Sequence, residues 1–246
     1  MNADTTAQLR LLDVQAADTA VAQLAHRRST LPELAAIAVH DQQIEAMDLE
    51  ALELRTKLAD IDGEQRRLEH EVDAVRGRAA RDEQRLTAGG LPAKELEGLQ
   101  HEVATLARRQ ATLEDDLLEV MEQRESVDTE LAGVTKRREA ADGERAALIQ
   151  ARDAAFAAIG AASATNRAQR DAIAAEIPED LLALYDKVRA ANGGVGAAML
   201  RQRRCEGCRI ELAGNEQAAV RAAAPDLVLR CENCRRILVR TAESGL

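Results

Sequence analysis

Aromatic residues are almost absent from this chain. One Phe, one Tyr and no Trp stand among 246 residues, so the sequence lacks the large side chains that fill the core of a conventional globular domain. Ala, Leu, Glu and Arg dominate instead, and 31% of the residues are charged. This composition is typical of long helices and coiled coils.

Other absences narrow the functional class. No run of about 18 apolar residues occurs, so we expect no membrane-spanning helix. The formal net charge of −10 means that the chain as a whole lacks the excess positive charge that attracts nucleic acid. The four histidines are scattered, no carboxylate pair is marked out for acid–base chemistry, and no phosphate-binding glycine loop is present. We therefore expect neither an enzyme nor a small-molecule substrate.

Cysteine is confined to one short region. The four cysteines form two Cys-x-x-Cys hooks, with 22 residues between them. Each hook offers two thiolates from a tight turn, and two facing hooks complete a tetrahedral four-sulfur zinc centre. The sequence therefore predicts one structural Zn²⁺, and its ligands are Cys205, Cys208, Cys231 and Cys234.

The hooks have two other interpretations, which are a pair of disulfides and a thioredoxin-like redox dithiol. No signal-peptide pattern precedes the chain, so we expect a reducing cytoplasm in which disulfides are disfavoured. A redox hook belongs near a βαβ pattern, and none is visible. Gly207 and Asn233, the third residues of the hooks, are the residue types that most easily adopt a left-handed knuckle backbone. Short β-rich runs at 227–229 and 237–239 complete the pattern of a zinc ribbon.

A regular hydrophobic repeat covers much of the remaining chain. Apolar residues at alternating spacings of three and four run through 44–86, where only Gln65 and Asp82 interrupt them, and a second seam runs through 96–134. Two seams of equal period joined by a short glycine turn fold back antiparallel, and here they pair residues whose numbers sum to about 182. By the same rule, the N-terminal segment lies beside the end of the second arm. The turn at the hairpin tip consists of Gly89, Gly90, Leu91 and Pro92.

The predicted fold class is mainly α, with a long antiparallel coiled-coil hairpin followed by a small β-rich zinc ribbon. Residues 1–177 form a helical segment with a kinked hairpin whose tip lies near 87–94. Residues 178–198 form a short helix and a Gly-rich junction, and residues 199–246 form the C4 zinc ribbon. The prolines and glycines at the junction mark the domain boundary.

Two irregularities are expected in the helical part. The segment 29–33 predicts a kink or short loop in which Thr30 caps the next helix and Glu33 completes a capping box. Four arginines also fall at core-type positions of the second arm, where they either snorkel to water or mark a loosened base that opens for a partner helix. These are Arg124, Arg138, Arg145 and Arg152.

The order of these features resembles a bacterial family of long coiled-coil hairpin proteins with a C-terminal C4-type zinc ribbon. The matching residues are Leu31-Pro32, Gly89-Gly90, Glu176-Ile177-Pro178, Tyr185, Gly193-Gly194 and Arg236-Ile237-Leu238. The chain departs from the family pattern at Arg235, where glycine is common, and at Val239, where an aromatic residue is common. The resemblance implies a non-enzymatic adaptor or chaperone-like protein. Some relatives are linked to flagellar assembly, type III secretion, RNA or transcription-factor partners.

Three functions remain open. The favoured one is a cytoplasmic adaptor whose hairpin, including its tip, and ribbon bind partner proteins. The alternative is a regulatory protein that binds RNA or DNA through the ribbon, which holds nine arginines and six acidic residues from Met199 onward but no aromatic side chain on which a base could stack. The third is a structural spacer or homodimer. The candidate contact arginines are Arg201, Arg203, Arg204, Arg209, Arg230, Arg235, Arg236 and Arg240.

Overall fold

The computed structural model describes all 246 residues. It has five helices and four short strands, which are α1 (Thr5–Ser29), α2 (Pro32–Ala88), α3 (Ala93–Ala174), α4 (Glu179–Ala191), β1 (Ala197–Arg201), β2 (Arg204–Cys205), α5 (Gly214–Ala222), β3 (Leu229–Arg230) and β4 (Ile237–Val239). The predicted fold class is confirmed, and α5 is an element that the sequence analysis did not predict. None of the helices combines the length and the apolarity that crossing a membrane requires.

The chain divides into two compact units. One consists of Ala35–Leu148, and the other combines Met1–Leu34 with Ile149–Leu246. This division differs from the predicted three regions because the first and last parts of the chain pack into one unit. The sheet of the ribbon also begins at Ala197, two residues before the predicted boundary.

In the unit Ala35–Leu148, α2 and α3 pack antiparallel along the predicted seam. Leu68 and Val72 of α2 form a buried cluster with Leu113 of α3. Arg109 pairs with Glu71 across the two helices at 3.4 Å, and the numbers in these contacts match the predicted pairing. Burial of one apolar stripe from each helix therefore fixes the register of the hairpin.

The tip of the hairpin depends on backbone conformation. Gly89 and Gly90 have φ of 72° and 83°, in the left-handed region that side chains other than glycine disfavour. A Cβ atom at either position would meet nothing within 4 Å. Glycine is therefore required there by the turn and not by close packing, and α3 begins directly after Pro92.

The core-position arginines of the hairpin snorkel, as the first of the two interpretations predicts. Arg124 donates to Asp62 at 2.7 Å, and Arg138 donates to Asp48 at 3.1 Å. Both arginine side chains keep about two fifths of their surface exposed, at 43% and 39%. Their stems cover the seam while their heads pair with acids in contact with water. In the other unit, Arg152 lies over the ring of Phe156.

The break between α1 and α2 lies where the sequence predicts it, but its capping differs. The Thr30 hydroxyl donates to the His26 carbonyl at 2.9 Å, so it closes the end of α1 and does not cap α2. The amide N–H of Thr30, which a capping box would give to Glu33, donates to the carbonyls of His26 and Arg27, so no capping box forms. The capping prediction was therefore wrong, because a hydroxyl between two helices can serve either end.

The second unit is organised by a four-stranded sheet of order β2-β1-β4-β3. β1 and β4 pair in parallel, with Ala197 opposite Ile237, and β3 pairs antiparallel with β4. Successive strand residues point to opposite faces. Ile237 and Val239 pack with α1 and α4, while Leu238 packs on the other face with α5 and the hook cysteines.

A buried polar cluster joins α1 to α4. The Tyr185 hydroxyl donates to Asp18 at 2.7 Å, and Gln15 accepts the N–H of Gly196 at 2.7 Å. Arg189 also lies 3.1 Å from the Asp18 carboxylate. Tyr185 is fully buried, so its hydroxyl needs such a partner. Burial, followed by the hydrogen bond to Asp18, raises the pKa of Tyr185 well above its usual range.

Candidate metal centre

The four cysteines converge on one point. The Sγ atoms of Cys205 and Cys234 lie 3.8 Å apart, and those of Cys208 and Cys231 also lie 3.8 Å apart. All four Sγ atoms lie within 4.8 Å of one another. A tetrahedral zinc ion with Zn–S bonds of about 2.3 Å requires sulfur separations of about 3.8 Å.

This geometry decides between the three interpretations of the hooks. A disulfide joins its sulfurs at about 2.05 Å, and all four cysteines here are free. Contacts of 3.8 Å join the sulfurs of one hook to those of the other, whereas a redox dithiol acts within a single hook. The donor set therefore fits one structural zinc, and the four thiolates fill its tetrahedral coordination.

Backbone N–H groups near the sulfurs favour the thiolate form of the cysteines, which is the form that binds metal. Burial raises the pKa of the Cys205 thiol, while the N–H groups of Cys208 and Gly207 oppose that rise. Burial likewise raises the pKa of Cys231, against the two equivalent N–H groups of its own hook. These N–H groups would stabilise thiolate charge in the metal-bound state.

Arg236 supports the centre from the side of the helical junction. Burial raises the pKa of Cys234, but the backbone N–H and the guanidinium of Arg236, together with Cys231 and Cys208, lower it to about 7. The same guanidinium donates to the carbonyls of Val195 at 3.2 Å and Asn192 at 3.0 Å. Arg236 therefore links the second hook to the segment that follows α4. Arg236 is named from the sequence as a family-matching residue and a candidate contact residue, but the sequence did not predict this role.

Gly207 serves a different purpose from the one predicted. A Cβ atom at this position would lie 2.6 Å from Cδ of Arg236 and 3.0 Å from Cβ of Ala198. The glycine therefore admits the Arg236 side chain beside the hook. Neither Gly207 nor Asn233 has a positive φ, so the left-handed prediction for these two residues was wrong.

The left-handed residues follow each hook instead. Arg209 and Arg235 have φ of 60° and 62°, and each amide N–H donates to the carbonyl of the first cysteine of its hook, at 2.7 and 2.8 Å. A residue other than glycine loses about 1–2 kcal/mol in this conformation. The family preference for glycine at the position of Arg235 therefore has a backbone reason.

The eight candidate contact arginines do not form one free basic surface. Arg236 donates to the carbonyls of Val195 and Asn192 after α4. Arg240 donates to five backbone carbonyls at and beyond the end of α5, including that of Ala223 at 2.9 Å. Arg230 donates to the Arg235 carbonyl. The remaining five arginines are exposed, and they are Arg201, Arg203, Arg204, Arg209 and Arg235.

Three of these arginines meet at the turn between β1 and β2. Gln202 and Arg203 have φ of 45° and 63°, which places both central residues of the turn in the left-handed region. Acidic residues accompany the cluster, because Arg201 pairs with Glu243 at 2.9 Å and Arg203 lies 3.9 Å from Glu211. The turn is therefore rich in arginine but partly neutralised.

Replacing one zinc ligand tests the metal assignment. Cys208→Ser should remove bound zinc, because a neutral hydroxyl replaces a thiolate and metal binding supplies folding free energy to such a site. Elemental analysis should fall from about one zinc per chain to nearly none. Circular dichroism should retain most helical signal, because the unit Ala35–Leu148 contains no part of the ribbon.

Ala218→Ser, at an exposed position of α5, is the matched control and should retain the metal. Full zinc occupancy in Cys208→Ser would contradict the four-sulfur assignment.

A second substitution tests the backbone strain after the hook. Arg235→Gly should stabilise the ribbon by about 0.5–1 kcal/mol, because relief of the left-handed strain exceeds the extra unfolded-state entropy of glycine. Hydrogen exchange of the ribbon amides measures the change. Arg230→Gly, in a strand without positive φ, should instead speed exchange, and equal behaviour of the two variants would refute the strain argument.

Comparison with known proteins identifies two families whose models match this chain. Residues 14–193 match the model of the CT398-like coiled coil hairpin domain, and residues 204–238 match the C4-type zinc ribbon domain. An uncharacterized protein of Mycobacterium tuberculosis is 40% identical over 240 residues, which cover 98% of each chain.

Solved structures show the same fold. A protein from Mycobacterium smegmatis is 38% identical, with a TM-score of 0.87 over 98% of this chain and 100% of that one. CT398 from Chlamydia trachomatis, at 17% identity, has a TM-score of 0.54 over 96% of this chain and 98% of its own. The chain therefore belongs to the CT398-like coiled-coil hairpin family, and a C4-type zinc ribbon follows its hairpin domain.

Proposed function

We propose that this protein is a cytoplasmic adaptor without catalytic activity, whose hairpin and zinc-stabilised ribbon bind other proteins. The observation that carries the proposal is the exposure of large apolar side chains on the hairpin helices. Leu49 and Leu52 of α2 are 59% and 58% exposed, and Leu118 and Met121 of α3 are 59% and 46% exposed. Groups of exposed apolar residues are typical of protein-interaction surfaces.

The metal chemistry supports a non-catalytic role. Catalytic zinc sites keep one coordination position open for water or substrate, whereas structural sites are closed by four protein ligands. The four converging cysteines of this ribbon form a donor set of the closed kind. Zinc would then hold the two hooks together and stabilise the sheet to which they belong.

Quantitative affinity capture of the full-length protein from its native cells tests the adaptor function. Specific proteins should be enriched over an untagged control, and Leu91→Asp at the tip should reduce the recovery of those that contact the tip. Ala88→Asp adds the same charge at the exposed end of α2 and should leave recovery unchanged. If no protein is enriched above the control, the adaptor function is wrong.

One observation favours nucleic-acid binding by the ribbon as a second candidate. Arg201, Arg203 and Arg204 are exposed together at the strained turn between β1 and β2, and Arg209 is also exposed. Strained backbone held at a surface is a feature of functional sites. Arginines in such a cluster could contact phosphates without reading sequence.

Salt-dependent binding of the full-length protein to single-stranded RNA and to duplex DNA tests this candidate. Binding should weaken steeply with salt, and the double variant Arg203→Ala/Arg204→Ala should flatten the logarithmic salt slope by about 1–2. Arg66→Ala/Arg81→Ala removes two exposed charges from the hairpin and should not change the slope. No binding near physiological salt would reject the candidate.

A further inference from the structure

One flank of the hairpin carries an open groove whose lining combines two apolar residues with charged residues of both signs, of which the acidic ones are more numerous. We call it the Leu118 face. Its groove has a volume of about 680 Å³. The residues that define the Leu118 face are Leu118, Met121, Glu122, Glu125 and Asp128 of α3 and Asp62 of α2, and the groove lining also includes Gln65, Arg66 and Arg124.

The apolar residues of this face are not needed by the hairpin itself. Within the seam of the same helix, Leu113 and Val127 are 1% and 2% exposed. Leu118 and Met121 lie one position beyond seam residues and remain 59% and 46% exposed. Covering these two side chains with the apolar residues of a partner would remove them from water and would therefore favour binding.

Ion pairs join the helices on both flanks of the hairpin, and Arg76–Glu114 and Arg124–Asp62 lie on the flank of the Leu118 face. On the flank opposite the Leu118 face, the ion pairs Arg109–Glu71 and Arg137–Glu50 join the helices. Heptad spacing places Leu118 and Met121 away from those pairs. On their own flank, Leu52 lies two heptads before Arg66, another residue of the groove lining, so it extends the apolar character along the same side of α2.

The charge around the groove indicates what could cover it. Asp62 is paired with Arg124, whereas Glu122, Glu125 and Asp128 form no ion pair, so the four acids of the lining exceed its two arginines, Arg66 and Arg124. An occupant with basic side chains beside an apolar stripe would pair these three carboxylates and bury the two apolar residues. A second copy of this acidic chain, with its net charge of −10, offers poorer complementarity.

We propose that the Leu118 face is the docking site for a basic amphipathic helix of a partner protein. The helix would lie along α3, with its apolar stripe on Leu118 and Met121 and its lysines or arginines against the acidic rim. This inference rests on the proposed adaptor function and specifies the chemistry of one partner.

A designed peptide provides the probe. A labelled helix about three heptads long, with leucine along one face and lysine on both sides of that face, should bind the full-length protein in fluorescence anisotropy. Leu118→Ser should weaken binding about tenfold, because the leucine side chain would be buried in the complex and serine would bury little apolar surface. Leu49→Ser is the matched control, since Leu49 is also 59% exposed but lies on the outer side of α2.

Charge substitutions form the second part of the test. Glu125→Lys should weaken binding of the same peptide, whereas Glu119→Lys, at an exposed position turned away from the groove lining, should have little effect. A scrambled peptide of identical composition should bind weakly, because it has the charge without the apolar stripe.

Three results would overturn the proposal. The first is equal affinity of the peptide for Leu118→Ser and Leu49→Ser, and the second is equal binding of the scrambled peptide. The third is self-association in sedimentation equilibrium that Leu118→Ser abolishes, because a second copy would then cover the face.

The outcome for this face is separable from the outcome for the adaptor function. If affinity capture still enriches proteins while Leu118→Ser leaves the affinity for the peptide unchanged, the adaptor function stands and only this docking site is wrong. If capture enriches nothing, the adaptor function itself is wrong, whatever the designed peptide does.

Discussion

Burial on both faces of one small sheet is the constraint on which the second unit depends. Ile237 and Val239 of β4 pack toward α1 and α4, while Leu238 between them packs toward α5 and the cysteines. A two-residue period therefore places helices on one face and the metal ligands on the other. The ribbon is thus built into the same unit as the N-terminal helix, and loss of zinc would loosen one side of a shared core.

The arginines of the ribbon show how little residue type alone says about a binding surface. Arg240 donates to the carbonyl of Val220 in the last turn of α5 and to four carbonyls of the segment that follows this helix, which is a stabilising role for a cation at a helix C-terminus. Arg236 reaches both the second hook and the junction after α4. Arg203 and Arg204 stay exposed at a strained turn. The candidate nucleic-acid surface is therefore smaller than the arginine content implies.

The hairpin separates the residues that hold it together from those that are free to bind. Its seam tolerates Arg124 and Arg138 because their heads pair with acids at the edge of the helices. The apolar residues outside the seam, including Leu118 and Met121, contribute little to this pairing and remain in water. Such an arrangement leaves a stable two-helix scaffold with apolar side chains available to a third helix.

The sequence by itself determined the hairpin, its tip and the four metal ligands, because heptad spacing, a Gly-Gly turn and paired Cys-x-x-Cys hooks are local patterns with few structural solutions. Only the tertiary structure decided the roles of Thr30, Gly207 and Arg235, since each depends on which backbone atoms or side chains come near. It also decided that Asp18 and Gln15 meet Tyr185 across about 170 residues of chain. Long-range contacts of this kind leave no periodic trace in the sequence, because packing and burial create them only after the elements have formed.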